Sequence, residues 1–229
     1  MDYGQFCPIA KAAEVLGEKW TILILRELLF GTNRFNDFQR AISGISPTML
    51  TKRLRELEQH GLLEKNNHDY VLTRSGYELA PLIRQYATWG MRWARGGKLS
   101  KEELDVELLM WDMRRRVNAA YLPPTGCIIH IRFKDLKKQE RNWWLVAAEG
   151  QVNLQNSEPE EDADLLLQSD LRTLTEMWMG DVTLRTALAQ QRLMLKGRPL
   201  LIRSIEQWLP LASYANVRPA ALDPVRSGQ

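Results

Sequence analysis

Apolar side chains recur at helical spacing along the first hundred residues, in segments set apart by glycine, proline and small polar residues. Ile9, Ala12, Ala13 and Leu16 mark one face of a first helix, with Pro8 in its opening turn and Gly17 at its end. Residues 19–30 are apolar almost throughout, from Trp20 to Leu29. This predicts a helix buried at the centre of a domain and stopped by Gly31. Asn36 is expected to cap a short helix over residues 37–42. Ser46-Pro47 opens a further helix that runs to about His60 and stops at Gly61. Residues 62–65 and 70–73 read as two short strands around the turn Asn66-Asn67-His68-Asp69. Leu79, Leu82, Ile83, Tyr86, Trp89 and Trp93 then predict one long helix over roughly 74–94.

The pattern changes after Arg95-Gly96-Gly97-Lys98, two glycines flanked by charge. Ser100 to Glu103 has the form of a capping box, so a helix is expected over 100–117. Cys127, Ile129, Ile131 and Phe133 alternate with Ile128, His130 and Arg132, the period of a strand. Residues 143–148 and 152–155 surround Glu149-Gly150 as a hairpin. A strand over 164–168, helical stretches over 170–179 and 181–190, a strand over 192–195 and a final helix over 198–213 complete the reading. The division expected is 1–97, 98–217 and a flexible tail, 218–229, which has no apolar period.

Charge sharpens this division. Residues 1–98 carry 14 Lys and Arg against 10 Asp and Glu, and the rest carries 17 against 18. The positive excess therefore lies in the first half, the side expected to meet a polyanion. The N-terminus has neither the basic start nor the apolar core of a signal peptide. No apolar run approaches the roughly 20 residues that span a bilayer, so a cytoplasmic location with no membrane partner is expected. Cys7 and Cys127 match no zinc or disulfide framework, and neither a metal nor a cofactor is expected.

The chemistry concentrates on the helix after Ser46. On a helical wheel Leu50, Leu54 and Leu57 share one side, while Thr48, Thr51, Lys52 and Arg55 fall opposite. Arg53 borders the core. Hydroxyls and cations are the groups that meet base edges and phosphates in a major groove. A short helix, a tight turn, a second helix with a polar-basic face and a hairpin together make a winged helix-turn-helix. Arg34, Asn36 and Arg40 would then flank the backbone-contacting helix. Lys65, Asn66, Asn67 and His68 would form the wing tip.

Residues 7–95 resemble the HxlR-type family of winged helix-turn-helix regulators. The resemblance is carried by Cys7-Pro8-Ile9, by GEKWTILILRELLFGTNRFNDFQRAISGISPTMLTKRLRELEQHGLLEK and by VLTRSGYELAPLI. It implies a homodimeric repressor or activator that meets DNA through residues 47–60 and dimerises through the N-terminal segment and the helix after the wing. The wing turn is shorter than the family's usual Pro- and Arg-bearing wing. The apolar residues Trp89, Met91 and Trp93 give a separate reason for self-association, because a domain this small cannot cover them all. A two-fold dimer would read an inverted repeat in double-stranded DNA. Some members of the family sense oxidants or electrophiles at the position of Cys7, which makes that thiol a candidate redox site beside the plainer role of a half-buried dimer contact. Lys11, one turn along, and the helix dipole could lower its pKa.

The segment ADLLLQSDLRTLTEMWMGDVTLRTALAQQRLMLKGRPLLI is similar to the sterol carrier protein type-two fold. The whole is therefore expected to be α+β, a winged helix-turn-helix domain followed by a sterol-carrier-like α+β domain. The second resemblance implies an apolar cavity for a lipid-like or aromatic effector, with Trp111, Trp143, Met177, Trp178, Leu184, Leu188 and Met194 as candidate lining. Each of these side chains could equally fill a core. His60, His68 and His130 are scattered and no catalytic constellation stands out, so no enzymatic activity is expected.

Overall fold

The computed structural model describes residues 2–96 and 99–220. Gly97 and Lys98 of the expected linker, and residues 221–229 of the expected tail, lie outside the described residues. The chain divides into two units, Met1–Trp89 and Gly90–Gln229.

The first unit runs α1 (Pro8–Leu16), α2 (Thr21–Leu29), α3 (Phe35–Ala41), α4 (Pro47–Gln59), β1 (Leu63–Asn66), β2 (Asp69–Leu72), α5 (Arg74–Glu78) and α6 (Ala80–Trp89). α2 is central and packs against α3, α4, α6 and β2. Its Ile24 and Leu25 are fully buried with Phe38, Leu50, Leu54 and Leu57. The same helix buries a carboxylate, Glu27. It is held by the Thr32 hydroxyl at 3.0 Å and by Arg26 Nε at 2.9 Å, so the charge does not sit in the core unpaired.

Two expectations for this unit fail for visible reasons. Asn36 does not cap a helix: it lies inside α3, whose N-cap is Arg34 and has no side-chain cap bond. The single helix expected over 74–94 is broken at Leu79 and continues past Trp89 as a π-helical turn, Gly90–Ala94. Pro81 explains the first break, since it has no amide to give to the carbonyl of Tyr77 and its ring crowds that turn.

In the second unit α7 (Val106–Arg116) starts later than expected. Asp105 accepts from the Leu108 amide at 3.0 Å and is its cap. The Ser100 amide does donate to Glu103, but no helix propagates from that bond. Strands β3 (Cys127–Phe133), β4 (Asn142–Ala148), β5 (Gln151–Gln155), β6 (Leu165–Ser169) and β7 (Leu193–Gly197) form one sheet in the order β5-β4-β3-β6-β7. Only β3 and β6 pair in parallel. The β4–β5 turn has positive φ at both Glu149 and Gly150, 51° and 75°, as a type I′ hairpin requires.

Helices α8 (Leu171–Trp178), α9 (Leu184–Ala189), α10 (Pro199–Arg203) and α11 (Ile205–Trp208) complete the unit. The helix expected over 198–213 is thus two short helices. Ser204 Oγ donates back to the Leu200 carbonyl where they meet, and Pro210 prevents continuation beyond Leu209. Ile129, Ile131, Phe133, Leu145, Leu165 and Leu167 point from one sheet face into a core with Met110, Met113, Leu174 and Trp208. On the other face His130 stacks on Trp144 at 4.8 Å and shares a hydrogen bond with Asn142.

Candidate nucleic-acid interface and ligand pocket

The sequence Ser46-Pro47 folds α4 as a hydroxyl cap followed by a residue that needs no hydrogen-bond acceptor. Ser46 Oγ accepts from the Met49 amide at 3.2 Å. Ser46 is therefore exposed but engaged in capping. Leu50, Leu54 and Leu57 fix the roll of the helix by entering the core. The opposite side carries Thr48, Lys52 and Arg55, all exposed, and Thr51, half-buried. The Thr51 hydroxyl donates to the Pro47 carbonyl at 2.9 Å, so it faces outward as an acceptor. Lys52 is 3.9 Å from Glu56 at its closest and keeps 60% of its side chain exposed.

Arg53 is the residue that sequence reasoning undervalued. It is 5% exposed, and its guanidinium donates to the Lys19 carbonyl at 3.0 Å, to Glu56 Oε2 at 2.5 Å and to Glu18 Oε2 at 2.7 Å. The guanidinium holds the Glu18 carboxyl below the usual carboxylate range. These bonds tie α4 to the α1–α2 junction beside Trp20, whose φ of 80° is rare for a bulky side chain. They hold Glu18 and the Oε2 of Glu56 toward Arg53, while Glu56 Oε1 stays 3.9 Å from the Lys52 ammonium. No local sequence signal foretold the contact, because Glu18 is 35 positions away.

The wing follows directly. The Leu62 amide returns to the Leu57 carbonyl, and the Thr73 and Ser75 hydroxyls both donate to the Gly61 carbonyl, at 2.6 and 2.7 Å. Gly76 lies so close that an added Cβ would stand 2.1 Å from the Leu62 carbonyl oxygen. β1 and β2 pair from Leu63↔Leu72 to Asn66↔Asp69. The turn is thus two residues, Asn67 and His68, rather than four. Asn67 takes a φ of 56°, a conformation Asn tolerates. Lys65 is exposed and leans over the Tyr70 ring at 5.6 Å. Asn67 and His68 are exposed, as are Arg34, Asn36 and Arg40 on and before α3. Arg34 Nε lies 3.6 Å from Asp69, and Arg40 lies 3.4 Å from Asp37.

Cys7 stands half-buried before Pro8 at the head of α1. Lys11 turns its ammonium to Glu14 at 2.9 Å. The apolar face of α1 does not enter the core: Ile9 is 80% exposed and none of the nine residues of α1 is buried. Phe6, Leu82, Tyr86 and Trp89 are exposed as well, and so is Trp93 in the π-helical turn, whereas Met91 is buried. Cys127 begins β3 in the core, where burial and then Asp164 push its thiol up to about 11.

The seven residues expected around a ligand do not converge. Trp143 and Trp178 fill the core of the second unit, and the Trp143 indole donates to the Glu140 carbonyl. Trp111 is buried under Arg114, with an indole nitrogen that has no partner among the described residues. Leu188 and Met194 are exposed. Met177 and Leu184 alone of the seven border an open pocket of about 260 Å³, with Gly180, Val182, Thr183, Ile205, Glu206, Leu209 and Leu211. The lining comes from the end of α8, the α8–α9 connection, α11 and the segment after it, which are dispersed in sequence.

Two known families match separate stretches of the chain. Residues 15–98 match the HxlR-like helix-turn-helix family, and residues 113–210 match the SCP-2 sterol transfer family. The uncharacterized HTH-type transcriptional regulator sll1512 of Synechocystis sp. is 34% identical over 113 residues, 46% of this chain and 80% of that protein. The uncharacterized HTH-type transcriptional regulator YvaP of Bacillus subtilis is 32% identical over 101 residues, 41% of this chain and 94% of that protein. Among solved structures, the reduced form of the transcriptional regulator YodB from B. subtilis is 32% identical. It covers 38% of this chain and 92% of that chain, with a TM-score of 0.34. No helix among the described residues is long and apolar enough to cross a membrane.

Proposed function

The chain belongs to the HxlR-like helix-turn-helix family, and from that premise we propose that it is a transcriptional regulator that docks α4 in the major groove of an inverted-repeat operator as a homodimer. The observation that carries this reading is the outward side of α4. Thr48, Lys52 and Arg55 stand in solvent on a helix whose roll is fixed by three buried leucines and by Arg53. Arg55, with five donors in a planar fork, suits a guanine edge, and Lys52 suits a phosphate. Arg34, Arg40 and Lys65 add cations on α3 and the wing for the flanking backbone. The short turn at Asn67 and His68 keeps the wing near phosphate rather than deep in the minor groove.

Dimerisation gives the exposed apolar side chains of α1 and α6 a partner, since single exposed residues are ordinary but Phe6, Ile9, Leu82, Tyr86 and Trp89 together are many for one small unit. The second half supplies a domain for a small effector, and this reading gives the chain no catalytic step. Regulation then requires that the effector bind one dimer arrangement more tightly than the other. Arg55→Ala is expected to cost about 1–3 kcal/mol in operator affinity and to relax the preference at one base pair. Lys52→Ala is expected to weaken all duplexes alike and to flatten the salt dependence. Fluorescence anisotropy across a set of single-base operator variants separates the two outcomes. An Arg55→Ala protein with the parent preference at every position would refute the assignment.

A further inference from the structure

The open pocket beside α11 has a chemical bias that its family membership does not supply. Its walls are Met177, Val182, Leu184, Ile205, Leu209 and Leu211, and it holds one ionisable side chain, Glu206. Among the described residues no cation is paired with Glu206, whereas Asp181 beside the pocket is already bonded by Arg95 and Glu176 by Arg192. The Thr183 hydroxyl is occupied by the cap of α9, where it meets Thr186. The pocket is thus an apolar basin bordered by one exposed carboxyl side chain to which no cation is paired among the described residues.

Size narrows the occupant further. About 260 Å³ exceeds the roughly 150 Å³ that takes a benzene ring, yet falls short of the roughly 300 Å³ where sites for drug-sized molecules begin. One ring with a short tail would fill it, and most of a sterol skeleton would stand outside it. Between sheet and helices Ile129, Ile131, Leu165, Leu167, Leu174 and Trp208 are fully buried in one core.

We propose that this pocket binds a small aromatic or branched aliphatic amine, with its apolar body against Met177, Leu184 and Leu209 and its ammonium at Glu206. The proposal rests on the reading of the second unit as a ligand domain and says which class of ligand it takes. A carboxylate of the same carbon frame would meet Glu206 as a like charge, and a neutral analogue would leave it unpaired.

Isothermal titration of the full chain with 2-phenylethylamine, ethylbenzene and phenylacetate tests this. The amine is expected to bind roughly fivefold or more tightly than ethylbenzene, with phenylacetate weakest, as a single charge pair near a protein surface allows. Glu206→Gln, an exposed position, should bring the amine to the level of the neutral probe. Leu184→Trp should fill the basin and remove binding of all three. Equal binding of amine and carboxylate, an amine affinity untouched by Glu206→Gln, or no binding of any probe would each overturn the proposal. DNA affinity measured on the same samples keeps the two readings apart. Loss of the pocket proposal leaves operator binding by α4 standing. Amine binding that leaves operator affinity unchanged supports the pocket and refutes only its coupling to DNA.

Discussion

Arg53 and Arg55 lie two positions apart on α4 in opposite surroundings. Arg55 stands in solvent, while Arg53 is buried and spends its donors on Lys19, Glu18 and Glu56. Arg53→Met removes those bonds and leaves the carboxylates facing an apolar stem. A loss of about 1–3 kcal/mol in unfolding free energy is expected by urea titration. The Glu18 carboxyl should at the same time rise toward the ordinary carboxylate range in an NMR titration. Because its folded pKa lies below the unfolded value, Glu18 stabilises the parent above the ordinary carboxylate pKa, and that contribution fades as pH falls through the lowered folded value. An unmoved Glu18 would contradict the contact.

The two thiols differ in the same way. Cys127, held protonated up to about 11, should react with iodoacetamide far more slowly than Cys7 in the native protein at pH 8, as peptide mass spectrometry would show. Its folded pKa lies above the unfolded one. Stability from the buried thiol is therefore present below about pH 9 and declines as pH rises toward 11. Equal labelling of both cysteines would place Cys127 outside the core.

At the scale of elements, the segments with a strong local signal were legible and those set by distant contacts were not. The buried period of α2, the Ser46-Pro47 start of α4 and the alternation of β3 each required only neighbours in sequence, and each element stands within two residues of its expected bounds. The helix over 74–94 was overextended because its apolar period runs through Pro81, which breaks the hydrogen bonding without breaking the pattern. The roll of α4 was legible because a helical wheel alone separates the buried Leu50, Leu54 and Leu57 from the exposed Thr48, Lys52 and Arg55. The latch at Arg53 and the basin at Glu206 were not, since their partners come together only in the fold. The β4–β5 turn offers a check on local chemistry. Glu149 adopts a positive φ that Asn prefers, so Glu149→Asn should raise the melting temperature, by about 1 kcal/mol or less in stability. A lower melting temperature would argue against the type I′ geometry.

For the molecule as a whole, two separate units carry two separate chemistries, a cationic helix face in Met1–Trp89 and an apolar basin in Gly90–Gln229. The first unit leaves apolar side chains exposed on α1 and α6, and in the proposed dimer a second copy covers them and two-fold symmetry sets the form of the operator. Two α4 helices set roughly one turn of duplex apart, about 34 Å, demand half-sites in opposite orientation. Selection of bound duplexes from a random pool at physiological salt, with the full-length protein, tests this most directly. The pool should converge on an inverted repeat with half-sites one helical turn apart, and the Arg55→Ala protein should lose one base preference symmetrically in both halves. Convergence on no sequence, or on an asymmetric site indifferent to Arg55, would contradict the account.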